Sequence, residues 1–156
     1  MATNAPPPPP SVNPSLSHPL LAFAFKVHIQ GLHEAVYFKS VSGLKYETET
    51  VPVVAGGSNS TTFNLVGATK WSNIVLKRGF TKGSSLLAMR TAWMYGTTRT
   101  RFNGSIIQLD TQLQTMVTWR FTRGWPVKWE MSDFDATKSE VSIETLEIAH
   151  DGLTLG

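Results

Sequence analysis

Apolar and polar residues alternate through most of the chain, a single segment shows helical spacing, and glycine- or asparagine-bearing clusters separate the runs. Together these predict a mainly β domain carrying one helix. Leu21, Phe23, Phe25, Val27 and Ile29 show the alternation most cleanly, with Ala22, Ala24, Lys26, His28 and Gln30 between them. A period of two places the first set on one face of a half-buried strand.

The remaining elements follow in order. Gly31 and Leu32 start a turn, and Val36 to Ser42 returns as a second strand. Gly43 marks a bulge before an extended stretch from Leu44 to Val54. Ala55 to Thr62 reads as a polar, glycine-containing loop, followed by extended segments at Thr62 to Val66 and Trp71 to Lys77. The helix is expected from Ser84 or Ser85 to Tyr95: serine caps its start, Leu86, Met89 and Trp93 share a face, and Gly96 ends it. Strands are expected at Ser105 to Leu109 and Thr115 to Thr122, joined by a turn at Asp110 to Gln114. Pro126 to Trp129 reads as a short edge piece, because proline donates nothing to a sheet ladder. In the last strand, Glu140 to Ala149, the apolar phase changes between Ile143 and Leu146, which implies a bulge or burial of both faces. A sheet of this many strands must close or pair with another chain, since exposed edges template association.

Residues 1–17 contain the run Pro6 to Pro10 and then Asn13, Pro14 and Ser15, which excludes helix or sheet interior and reads as a solvated tail. The expected domain is 18–156. The chain's 156 residues suit one domain with a real core. Charged residues make up only 16%, below the roughly 25% of ordinary soluble domains, so part of the exterior is expected to be covered by partners. No apolar run approaches the ~20 residues of a membrane helix, so no stable membrane insertion is expected, and with no secretory leader pattern the cytosol is the expected site of assembly. Cysteine is absent, which excludes disulfide scaffolds and thiolate chemistry.

Charge is segregated along the chain. Ten basic residues lie from Lys70 to Lys128 against Asp110 alone, and seven acids lie from Glu130 onward against Lys138. Two arrangements account for this: oppositely charged strands meet inside one subunit, or a basic surface of one copy meets an acidic surface of the next. The scatter of the cations through strand-like segments disfavours nucleic-acid binding.

No catalytic, cofactor-binding or metal-binding set is identified, and the chain is not expected to be an enzyme. In RGFTKGSS (Arg78 to Ser85) the lysine and glycines are misplaced for a phosphate loop. His28, His33 and Glu34 lack a converging third ligand, and His150 with Asp151 lacks a serine on a strained elbow; His150 reads as closing a turn. Trp119, Trp125 and Trp129, interleaved with Arg120, Arg123 and Lys128, read as core or seam rings with cations over their faces rather than a base-stacking platform.

The segments FAFKVHIQG (Phe23 to Gly31), FKSVSGL (Phe38 to Leu44), NIVLKRG (Asn73 to Gly79), FTRGWPVKWE (Phe121 to Glu130) and VSIETLEIAHDGL (Val141 to Leu153) occur in an order that resembles the inner tube proteins of contractile phage tails and extracellular contractile injection systems. Leu65-Val66-Gly67 departs from the Leu-Pro-Gly of many relatives. The resemblance implies a small β-barrel or sandwich subunit with one flanking helix, assembled as hexameric rings that stack into a hollow tube. It also implies as partners a sheath protein, baseplate and tip proteins, and cargo in the lumen, with the tube driven into a target envelope. Two interface expectations follow. Leu44 to Leu65, with Gly56, Gly57, Ser58, Asn59 and Ser60 at its loop, reaches a neighbouring subunit or ring. Glu144 and Glu147 meet the basic middle of another copy. The alternative is a secreted binding module or effector that uses the same fold without polymerising.

Overall fold

The computed structural model describes residues 24–57, 61–80, 85–97, 99–138 and 140–156. The proline-rich tail and the start of the helix at Ser84 lie outside these residues. In chain order the elements are β1 (Ala24–Ile29), β2 (Val36–Phe38), β3 (Ser40–Ser42), β4 (Tyr46–Val54), β5 (Thr62–Trp71), β6 (Ile74–Gly79), α1 (Ser85–Tyr95), β7 (Phe102–Leu109), β8 (Thr115–Met131), β9 (Ile143–Ala149) and β10 (Gly152–Leu155).

All pairings are antiparallel, and the main sheet runs β2-β1-β7-β8-β9-β6-β3, with β10 beside β8. The two ends of that order, β2 and β3, are separated in the chain by Lys39 alone. The run from Val36 to Ser42 thus pairs with β1 through its first half and with β6 through its second, and the Lys39 N–H donates to the Lys77 carbonyl at 2.8 Å. One stretch of chain therefore sits at both ends of the sheet and rolls it into a barrel.

A second corner lies in β8. Phe102 pairs with Gly124 and Gly104 with Phe121, so Thr122 and Arg123 together oppose Asn103. Arg123 takes φ 53°, and its N–H donates to Asn103 Oδ1 at 3.0 Å. The extra residue bends the strand. Its first half then pairs with β7 and β10 and its second half with β9. The expected piece at Pro126 to Trp129 is the second half of this 17-residue strand. Pro126 is buried opposite Ile148, and among the described residues no strand beyond β9 pairs with residues 125–131.

The core fills from the inward residues of the barrel strands: Val27, Ile29, Val36, Phe38, Ile74, Leu76, Ile106, Phe121, Leu146, Ile148 and Leu153 form one cluster that Leu86 of α1 joins, with Val41 of β3 packed against it. Phe121 sits between two glycines, since a Cβ on Gly104 would lie 2.4 Å from its ring and one on Gly124 2.8 Å. Burying such a ring contributes ~3 kcal/mol.

Strand β9 is uniform in phase, with Glu144, Leu146 and Ile148 all buried and its strand bonds beginning at Ile143. The expected phase change has another cause: Val141 lies exposed before the strand, and an acid occupies an inward position. The irregularity in this pair falls in β8, between Pro126 and Lys128.

Candidate assembly interface

The β4–β5 hairpin stands apart from the barrel and pairs only with itself. It is longer than the sequence pattern indicates, because β5 continues through Gly67 to Trp71. Residues 65–67 are strand, not turn. The register shifts between Thr48 and Thr50, and a Cβ on Gly67 would lie 2.9 Å from the Glu49 carbonyl oxygen, so the missing side chain permits the bulge.

Cross-strand partners share a face. Val51 faces Leu65 and Val53 faces Phe63, which gives the distal arm one apolar face; these four side chains are 41–55% exposed. Val66, on the opposite face, is 87% exposed. A two-stranded hairpin with nothing packed on it is marginal in water, and an exposed apolar patch of this kind marks a contact surface. Gly56 and Gly57 lie at the exposed tip, with Gly57 at φ 96°; Ser58, Asn59 and Ser60 fall outside the described residues.

The arm is rooted firmly. Tyr46 meets Trp71 edge to face at 5.4 Å, and Trp71 meets the His150 ring at 5.7 Å. Gly43 takes φ 84°, and a Cβ there would lie 1.8 Å from the Asn73 carbonyl oxygen. Buried His150 faces two carbonyl oxygens, Gly152 from Nδ1 at 3.1 Å and Ser72 from Nε2 at 3.0 Å. It closes the β9–β10 turn, as expected, and also ties that turn to the arm's root. Lys70 pairs with Glu49 on the exposed stem, which holds the lysine pKa above its ordinary value.

Part of the charge segregation resolves within the subunit. Arg78 donates from Nε to Glu144 Oε2 at 2.8 Å, and Trp129 Nε1 donates to Oε1 at 2.8 Å. Glu144 is 1% exposed and has no surface to present to another copy, which corrects its expected place at an interface. Its position between β6 and β8 lets it meet a guanidinium and an indole that sequence distance hides. Arg101 and Arg123 both reach Asp151, and Lys128 reaches Glu130. Glu147 is half-buried and accepts from Asn73 Nδ2 at 2.7 Å. Arg90 lies over the Trp129 ring and Arg101 over Trp125, each 4.2 Å from the centroid, so two of the three interleaved tryptophans carry cations from their own subunit.

Among the described residues no group of His, Asp and Glu is arranged to hold a metal ion, and no helix is long and apolar enough to cross a membrane. His28, His33 and Glu34 are exposed and separate from His150.

A small barrel with one helix and a protruding, uncovered hairpin defines a class of subunit that completes its packing in an assembly. The chain belongs to the T4-like virus tail tube protein gp19 family, whose model matches residues 21–154. Among solved structures it is similar to a chain of the anti-feeding prophage baseplate, 6-fold symmetrised (25% identity, TM-score 0.72, 94% of this chain and 97% of that one). It is similar in fold to a chain of the PVC extracellular contractile injection system sheath–tube complex in the extended state (22% identity, TM-score 0.71, 94% and 99%). Hcp1 from Flavobacterium johnsoniae shares the fold at 20% identity and a TM-score of 0.51, over 85% of this chain and 94% of that one. No curated protein matches the sequence. The chain is a structural inner-tube component of a phage-tail-like contractile particle.

Proposed function

We propose that this chain forms hexameric rings that stack into a hollow tube, that the tube is enclosed by a sheath and based on baseplate and tip proteins, and that it acts without catalysis. It is assembled in the cytoplasm, conducts cargo through its lumen and is driven through a target envelope when the sheath contracts. The observation that carries the reading is the arm's uncovered face of Val51, Val53, Phe63 and Leu65, which a neighbouring copy covers. Relatives in sheath–tube, baseplate and cap assemblies support the partners. The segment Gly56, Gly57, Ser58, Asn59 and Ser60 enters the neighbouring subunit or ring, and Glu147 contributes from the barrel; Glu144 acts inside the subunit.

Deletion of residues 56–60 tests this by negative-stain electron microscopy. The expected result is single rings or short stacks from a variant whose circular dichroism melt is unchanged. A Glu147→Lys variant in the same assay is expected to give tubes that dissociate at lower salt. Full-length tubes from the deletion, or a strictly monomeric unaltered chain, overturn the stacking role of the arm, and the second outcome favours a module that acts without polymerising.

A further inference from the structure

Once the ion pairs inside the subunit are drawn, two surfaces of opposite charge still carry exposed unpaired groups. The first is the β8–β9 loop. Asp133, Asp135 and Glu140 are exposed there, and among the described residues none has a cation within ion-pair distance. Between the two aspartates Phe134 is 74% exposed, an unusual position for a ring with nothing packed on it. Thr137 donates to Asp135 Oδ1 from both its hydroxyl and its N–H, which holds that carboxyl below its ordinary range and keeps the tip anionic.

The second surface is a groove of about 630 Å³ between α1 and the second half of β8. Trp93, Met94 and Val127 give it an apolar floor, of which Met94 and Val127 are half exposed. Arg90, Arg99 and Lys128 give it a cationic rim, in which Lys128 is already paired with Glu130 and Arg99, among the described residues, is not. Arg90 has a buried Nε with no hydrogen-bond partner although its guanidinium lies over Trp129. This side of β8 is also the one that no described strand covers beyond Trp125.

An aromatic ring between two carboxylates complements an apolar groove rimmed by guanidinium and ammonium groups in both polarity and sign. Aromatic anchors in pockets dominate interface energies, and complementary charge fixes their register. Both halves belong to one chain, and a tip that fits a groove elsewhere on the same molecule generates a head-to-tail contact, the kind that closes rings. We propose that the Asp133–Phe134–Asp135 tip of one copy seats in the α1–β8 groove of the adjacent copy and forms the lateral contact within a ring. This rests on the ring-forming reading above and names the surface that carries it.

The chain has no cysteine, so paired cysteines report the contact directly. Copies carrying Ala136→Cys, exposed beside the tip with Phe134 kept, are mixed with copies carrying Val127→Cys, assembled, oxidised and run on a non-reducing gel. The expected result is a cross-linked dimer from the mixture, and a ladder of higher species from the double variant. A charge exchange gives a second readout. Copies with Asp133→Lys and Asp135→Lys, and copies with Arg99→Glu and Lys128→Glu, are each expected to lose at least tenfold in assembly while melting as the unaltered chain does. Mixing the two restores rings, because each altered tip then meets an altered groove.

Tubes without any cross-link overturn the contact and leave the tube reading intact. A cross-link confined within single chains of the double variant overturns it too, since the tip then folds onto its own groove. An unaltered chain that stays monomeric overturns both readings together.

Discussion

The barrel and the β4–β5 arm are made from the same kind of strand, yet they satisfy opposite conditions. In the barrel every strand turns one face inward, so Val27, Ile74, Leu76, Ile106 and Ile148 have essentially no exposed surface. In the arm Val51, Val53, Phe63 and Leu65 have equivalent chemistry and no inward side to occupy. Hydrophobic burial stabilises in proportion to the area removed from water, so the barrel can complete its packing alone and the arm cannot. The difference assigns them different tasks: one region carries the fold of the subunit, and the other carries its contact with the next.

The contrast can be broken first on the barrel side. Glu144→Ala leaves the mostly covered Arg78 without its carboxylate and Trp129 without its acceptor. Removing one partner of a buried pair costs about 3–5 kcal/mol, so urea denaturation should show a loss of that size. A loss below ~1 kcal/mol would show that water replaces the carboxylate and that the site is less enclosed than its geometry indicates.

On the arm side, Phe63→Ser with Leu65→Ser is expected to change subunit stability by no more than ~0.5 kcal/mol, as exposed substitutions do. The same variant should lose tubes in electron microscopy. If it unfolds the subunit instead, the arm belongs to the folding core and the comparison collapses.

The smallest expected effect concerns the acidic tip. Thr137→Val removes the hydroxyl that chiefly lowers the Asp135 pKa, so the carboxyl should titrate at a higher pH, nearer its ordinary value, in a carbon-13 NMR titration. A group with a lowered folded pKa stabilises above its unfolded pKa, and loses that contribution as pH falls through the folded value. The variant should therefore lose its charge at a less acidic pH. Equal titration in both chains would assign the shift to another cause.

Legibility in sequence followed a physical rule. β1 was readable because Phe25, Val27 and Ile29 alternate with polar residues, and α1 because Leu86, Met89 and Trp93 fall on one face. The phase of β9 was only partly legible: none of its residues is exposed and the irregularity lies in its partner β8, while Glu144, an acid, points inward to partners 66 and 15 residues away in the chain. The full reach of β5 was hidden by Gly67, which looks like a turn until the Glu49 carbonyl is seen against it. Gly56 and Gly57 were recognisable as a loop tip from composition, but the apolar face behind them depends on the register between Val51 and Leu65, which pairing alone reveals.

The sequence by itself determined the β class, the helix ending at Tyr95 and the resemblance to tail tube proteins, because periodicity, capping and motif order are local properties of the chain. Only the tertiary structure decided that the sheet closes through Lys39, that Glu144 serves the interior, and that an acidic tip and a cationic groove are left over. These depend on which distant residues meet. That choice is made by the packing of the whole barrel rather than by any one segment.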